Sequence, residues 1–364
     1  MVKKNILHFL RSYGFHGGEK QILHIASIRH ENYKQYYIDI HYDAEIERIA
    51  QKKNVNYDYL LPFKITIKNI FFELLLIFFL SPYLCTKFLI FLIKKNIRLV
   101  FCHNIQSACV SWPLIFLLKT IKFVYFHRIY KLFRKYDFVS KIIYYPFNEI
   151  IGNSKSVANS LKKYSGKKIL VINNFVETNY KNKKINNRLN LIFVTVSRLE
   201  KRKRIDFLID MFDYLKSKYK NILFYILGDG NEEKNLKKRV YLCKNKNIIF
   251  LGNVKKPSDV LNKSDIYLCA SELEGLSNSI LEAMSIGLPS VIVDAPGVSD
   301  CHIKNVTALF ADRNIKDFSE KCEKLMNNIQ LRKFLSQKAQ NKVKNEYNIN
   351  NTFNEYLKIY NKHT

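Results

Sequence analysis

The chain has 364 residues, 48% of them hydrophobic, which is too long for one ordinary core and suits two domains that each bury a substantial one. The formal net charge is +29, yet the basic residues are scattered through a Lys-, Asn- and Ile-rich composition. No helix-turn-helix, zinc-finger or aromatic-glycine RNA-binding signature accompanies them, so nucleic acid is not an expected partner.

Short apolar runs recur along the chain with helical stretches between them. In order they are Asn5–Leu10, Arg98–His103, Ile121–His127, Glu149–Asn153 and Lys168–Asn173, then Asn190–Ser197, Asn221–Gly228, Asn247–Leu251, Asp265–Ala270 and Pro289–Val293. Most do not alternate, as expected of strands covered on both faces. Strand–helix alternation of this kind predicts parallel sheets in doubly wound α/β domains. The pattern falls into two blocks, and the polar stretch Asn179–Asn190 between them reads as a linker. The expected division is a first domain over 1–178, a linker over 179–190, a second domain over 191–345, and a final helix over 346–364 that crosses back to the first. Ligands of such sheets bind beyond the carboxyl ends of the strands, so the expected site is a cleft between the two domains.

Residues 70–93 are apolar and long enough to raise the question of a membrane span. Glu73, Pro82 and Lys87 interrupt the stretch, and Pro82 predicts a break into two shorter helices. Core packing and docking at an anionic membrane interface, with the lysines Lys64, Lys68, Lys87, Lys94 and Lys95 nearby, both remain open. The seven cysteines include no CxxC pair and several sit in apolar runs, so they read as small buried residues of a reducing cytosol. The expected location is the cytoplasm, extending to the inner face of the cytoplasmic membrane.

Three segments carry chemistry. The first is Glu274-Gly275-Leu276-Ser277-Asn278-Ser279-Ile280-Leu281-Glu282, directly after a strand and opening a helix that Ser277 or Asn278 can cap. Such a turn offers backbone N–H groups and a positive helix end to a phosphate. Glu282, within about the first turn, can accept both hydroxyls of a ribose, and Glu274 in the loop can meet sugar hydroxyls. A lone Glu near a helix start is usually a surface residue that compensates the dipole; the combination is what points to a site. The second segment runs from Val196 to Asp206, where Arg198 and Lys203 can neutralise a diphosphate. Lys201, Arg202 and Arg204 read as a solvated basic loop. The third is Gly14-Phe15-His16-Gly17-Gly18-Glu19, whose glycines allow close approach to a phosphate. His103 and His127 each end a strand and would face the cleft.

Together these segments resemble the retaining glycosyltransferases of family 4, whose fold is the two-Rossmann-domain arrangement called GT-B. EGLSNSILEAMSIGLPS is similar to that family's Glu-x7-Glu segment, VSRLEKRKRID to its Arg-Leu-x4-Lys segment, GFHGGEKQ to its N-terminal Gly-Gly loop and INNFVE to its hinge. Arg204 and Phe175 stand where the family usually has glycine, and Ser277 where it often has proline. The resemblance implies that Glu282 binds the donor ribose, Glu274 the donor sugar, and Arg198 and Lys203 the diphosphate. It further implies that Gly17, Gly18, Leu276, Ser277 and Asn278 line the donor site, and that His127 lies near the sugar's reactive face. It implies a nucleotide-sugar donor, a glycan or lipid-linked acceptor, no cofactor and no metal. The expected function is a hexosyltransferase-type enzyme of cell-envelope polysaccharide, lipopolysaccharide or glycolipid biosynthesis. A sugar-nucleotide epimerase on the same fold and a non-catalytic sugar or lipid-head-group binding protein are the rivals.

Overall fold

The structure is a computed structural model that describes residues 3–67, 69–128, 137–177, 185 and 190–364. It divides into two compact units, one of residues 1–174 with 352–364 and one of residues 175–351. The division at 174/175 falls inside INNFVE, four residues ahead of the expected domain end. Most of the expected linker 179–190 lies outside the described residues.

The first unit runs β1 (Lys4–Leu10), α1 (Gly17–Ser27), β2 (Tyr33–His41), α2 (Ala44–Lys52), β3 (Asn56–Leu61), α3 (Ile70–Lys94), β4 (Ile97–Cys102), α4 (Ile105–Leu117), β5 (Lys122–His127), α5 (Asp137–Tyr144), β6 (Glu149–Gly152), α6 (Lys155–Ser165) and β7 (Ile169–Val171). Its strands form one parallel sheet in the order β3-β2-β1-β4-β5-β6-β7. The second unit runs β8 (Leu191–Val196), a 3₁₀ turn at Lys201–Lys203, α7 (Ile205–Lys218), β9 (Ile222–Leu227), α8 (Glu233–Leu242), β10 (Ile248–Gly252), α9 (Pro257–Lys263), β11 (Ile266–Cys269), α10 (Asn278–Ile286), β12 (Ser290–Val293), β13 (Leu309–Ala311), α11 (Ile315–Asn327) and α12 (Ile329–Glu346). Its parallel sheet has the order β10-β9-β8-β11-β12-β13. In each sheet the order reverses after the first strand of the block, the point at which doubly wound folds open a crevice for ligands.

The last helix, α13 (Ile349–His363), packs with the first unit through Phe353, Tyr356, Ile359 and Tyr360. Tyr356 and Tyr360 stack among His8, Phe101 and Phe126, and the Tyr360 hydroxyl donates to Gln35 Oε1 at 2.9 Å.

Three strands escaped the sequence reading. β2 (YKQYYIDIH) looks half polar, yet Gln35 and Asp39 are buried. Gln35 bonds His8 and Tyr360, and Asp39 accepts the Ser12 N–H at 3.1 Å, so polar side chains lie in the core with their partners. β3 is an edge strand with exposed positions, and β13 has only three residues. The break expected at Pro82 does not occur, since α3 is a single helix of 25 residues. Ile77 before the proline and Leu84 and Phe88 after it are buried in one hydrophobic cluster, and this packing holds both halves in register. Thr86 donates its hydroxyl to the Pro82 carbonyl at 2.7 Å.

Candidate functional site

The strongest constellation gathers at the carboxyl ends of β8, β9, β11 and β12 in the second unit. After β8 the chain is pinned to the end of β9 and the loop that follows it. The Ser197 N–H donates to the Leu227 carbonyl at 3.0 Å, and the Leu199 N–H to the Asp229 carbonyl at 2.6 Å. Gly228, which follows β9 at φ +119°, lies so close that an added Cβ would collide with the Ser197 carbonyl. A single 3₁₀ turn then carries Lys203 inward, and Arg204 closes it at φ 51°, ψ 41°, the left-handed conformation that favours glycine.

The turn brings Lys203 to Glu274, which stands in the loop after β11. Both side chains are buried, and Lys203 Nζ donates to Glu274 Oε1. Arg202 Nη1 lies 3.4 Å from Glu274 Oε2 and 3.2 Å from the Leu273 carbonyl. Burial pushes the Glu274 carboxyl upward, but the charges of Lys203 and Arg202, with hydrogen bonds from Lys203 and Ser271, outweigh it. The net effect holds the carboxyl below its ordinary range, so Glu274 is ionised. Arg202, expected in a solvated loop, is instead part of this cluster; its neighbours are 71 and 72 residues away and no local pattern announces them. Arg198 stays outside the pair. Its side chain is 60% exposed, with Nη1 3.2 Å from Glu200 Oε1, while Glu200 also accepts from Arg202 Nε at 2.8 Å.

The loop after β11 ends at Ser277, the N-cap of α10, and the helix begins at Asn278. The Ser277 hydroxyl makes no cap bond; it lies 3.1 Å from Ser279 Oγ, which accepts from the Tyr267 hydroxyl at 3.1 Å. Leu276 is buried and Asn278 half-buried. Glu282 stands half-buried as the fifth residue of α10, one residue further from the helix start than expected. Thr195, Ser197, Lys203, Tyr267, Glu274 and Ser277 line a small hollow here.

The loop after β12 braces Glu274 from the other side. The Glu274 N–H donates to the Pro296 carbonyl at 2.8 Å. Gly297, at φ +72°, sits where an added Cβ would collide with the Glu274 and Gly275 carbonyls. Arg313 reaches the Ala270 and Ser271 carbonyls at 3.3 Å each. The sequence reading missed Gly228, Pro296-Gly297 and Arg313. A glycine ending one apolar run and a Pro-Gly pair after another are turn signals that could have found the first two; Arg313 had none.

The remaining expected residues belong to the first unit. Gly17 opens α1, and its N-cap His16 makes no side-chain cap bond. A Cβ at Gly18 would meet nothing within 4 Å, so the unit's own packing does not require glycine there. His127 ends β5, buried, with Nδ1 3.4 Å from the Tyr125 hydroxyl. His103, just past β4, is buried too, 3.0 Å from His8 and stacked near Phe101 and Phe126. Burial holds it well below its ordinary pKa, so its imidazole is neutral. Among the described residues no group of three or more His, Cys, Asp or Glu could hold a metal ion.

Residues 176–342, which contain the whole β8–β12 constellation, match the family model for glycosyl transferases group 1. The capsular polysaccharide biosynthesis glycosyltransferase CapM of Staphylococcus aureus is 26% identical over 192 residues, 52% of this chain and 50% of its own length. The uncharacterized glycosyltransferase MJ1069 of Methanocaldococcus jannaschii is 29% identical over 238 residues, 61% of this chain and 60% of its own length. The chain thus spans between half and about three-fifths of these curated relatives. Among solved structures, Anabaena Alr3699/HepE in complex with UDP superposes with a TM-score of 0.83 at 15% identity, covering 98% of this chain and 100% of that one. That likeness shows the fold: two parallel-sheet α/β domains of the GT-B type.

Proposed function

We propose that the chain is a retaining glycosyltransferase that moves a sugar from a nucleotide-diphosphate sugar to an acceptor hydroxyl in cell-envelope polysaccharide, lipopolysaccharide or glycolipid biosynthesis. The observation that carries this reading is the buried Lys203–Glu274 pair at the ends of β8 and β11, the two strands between which the second sheet reverses its order. A buried lysine, an exposed arginine and the start of α10 make a positive edge suited to a diphosphate. The polysaccharide setting is supported by relatives such as CapM.

In this reading Lys203 supplies the fixed positive charge. Glu274 holds the ammonium in place through Oε1, and its Oε2, 3.4 Å from Arg202 Nη1, keeps a lone pair to accept from a sugar hydroxyl. Arg198 can leave Glu200, a solvent-screened partner, for the diphosphate at little cost. Glu282 takes the ribose, and the backbone around Leu276, Ser277 and Asn278 lies against phosphate or sugar. As the glycosyl–phosphate bond breaks, the pair of electrons leaves with the diphosphate, and Lys203 and Arg198 stabilise the charge that develops. The acceptor hydroxyl attacks from the face the leaving group vacates and passes its proton to the phosphate. No metal is needed in this scheme. The first unit would bind the acceptor.

The test is a thermal-shift panel of UDP, GDP, ADP and their sugars, followed by transfer assays. A nucleotide at about 100 times its Kd raises the folded state's stability by about 2.7 kcal/mol, so at least one should raise the melting temperature. The Arg198→Ala variant should keep its melting temperature and lose about 100-fold in transfer rate. No response to any nucleotide, or near-normal transfer by Arg198→Ala, would overturn the assignment.

A further inference from the structure

α3 is apolar around most of its circumference, but only one side is covered. Ile77, Leu84, Phe88 and Leu92 are buried in the first unit's core. On the opposite side Phe71, Phe72, Phe78, Phe79, Ile90 and Ile93 stand in solvent, Phe78 and Phe79 each 71% exposed. At about 100° per residue these six fall on one arc facing away from the core. Large exposed aromatic and aliphatic side chains in a row are rarely left to water, since burying a Phe favours the apolar phase by about tenfold or more.

We propose that this outer face of α3 docks on the surface of an anionic lipid bilayer, lying in the interface along its length and not crossing it. The charge arrangement selects that partner. The helix carries one acid, Glu73, and it is turned inward. Lys87 and Lys94 are exposed beside the apolar arc, and Lys95 caps the helix. Lys87 lies 5.7 Å from the Tyr83 ring, an aromatic–cation pair of the sort that suits a headgroup layer. An apolar face flanked along one edge by lysines, with no acid among them, fits anionic headgroups over acyl chains.

The same structure argues against a span, although the helix has 25 residues and holds an 18-residue window of mean hydropathy 2.1, long enough for one. Lipid all round would strip the buried side of α3 from the core. It would also break the buried ion pair in which Arg11 Nε lies 2.5 Å from Glu73 Oε1. Glu73 Oε2 further accepts from the Tyr13 hydroxyl at 2.6 Å and Gln106 Nε2 at 2.9 Å. This polar clamp holds the helix on the sheet and leaves the outer face as the part that can enter lipid. The proposal stands independently of the transfer reading, because it uses no donor-site residue.

The experiment is co-sedimentation of the full chain with sucrose-loaded vesicles of phosphatidylcholine, alone or mixed with phosphatidylglycerol, at low and high salt. The unmodified chain should bind the mixed vesicles, and less as salt rises. A Phe71→Ser/Phe78→Ser/Phe79→Ser variant should keep its melting temperature and lose more than tenfold in bound fraction. A Lys87→Glu/Lys94→Glu variant, which leaves the apolar face intact, should lose the preference for phosphatidylglycerol. Absence of binding to mixed vesicles, equal binding to both compositions, or unchanged binding by the Phe variant would each overturn the proposal. So would a dimer in analytical ultracentrifugation that the Phe substitutions dissolve in a chain that binds no vesicle.

Discussion

Arg204 occupies a left-handed backbone position between the 3₁₀ turn and α7, at φ 51°. A non-glycine residue there costs about 1–2 kcal/mol. The side chain returns part of that by reaching Asp206 at 3.2 Å and Glu272 at 3.2 Å, both surface pairs of small worth. Arg204→Ala removes the pairs and keeps the strain, whereas Arg204→Gly removes both. Urea unfolding should therefore rank Arg204→Gly above Arg204→Ala by about 1 kcal/mol; the reverse order would show the left-handed geometry to be unstrained. The expectation of glycine at this position came from the motif, and the backbone angle supplies its reason. Lys203 and Glu274 were equally legible, because each lies in a contiguous strand–loop–helix segment. Their direct pairing was not, since 71 residues separate them. Arg202 was misread for a related cause: a run of four basic residues looks solvated until the loop after β11 folds over it.

At the scale of elements, the strands of both sheets that are buried and continuous in hydrophobicity could be read from the chain, as parallel pairing demands. β2 was hidden by its own interior polar residues, whose partners lie on β1, α13 and the loop after β1. The unbroken α3 shows core packing overriding a proline. Loops obey the same logic, because the turn after β12 exists to support the turn after β11. Gly297→Ala would place a Cβ against the Glu274 and Gly275 carbonyls in a left-handed backbone. The loop must then move, costing about 1–3 kcal/mol of stability and shifting Glu274. The variant should show a lowered urea midpoint together with weakened nucleotide binding. Unchanged values for both would mean that the brace is slack.

Across the whole molecule, buried titratable groups set the response to acid. Burial, the largest influence, lowers His8 to about 4 and His302 to about 3 from an ordinary 6.5. Below pH 6.5 the unfolded chain takes up protons that these folded histidines refuse, so stability falls as pH drops from about 6.5 towards 4. Asp39 opposes this: burial raises it from 3.8 to about 7, so the folded chain holds a proton that the unfolded chain has released, and stability falls as pH rises through that window. In the first unit the lowered His8, His41 and His103 are offset by the raised Asp39 and Glu19, while in the second His302 has no raised carboxyl to offset it among the described residues. Each net proton tilts stability by about 1.4 kcal/mol per pH unit. Both calorimetric transitions should move down between pH 6.5 and 5, the second unit's with the least compensation; a second-unit transition that rises on acidification would contradict the buried state of His302.

The place of α13 in this architecture has a consequence for how the protein is made. The first unit's sheet leaves the ribosome early, yet two of the aromatic rings that cover it, Tyr356 and Tyr360, are encoded after the 177 residues of the second unit. At about 5–20 residues per second, that is a delay of roughly 10–35 s. Through this interval the His8–Phe101–Phe126 surface is without its cover, and the domain begun first is the one completed last.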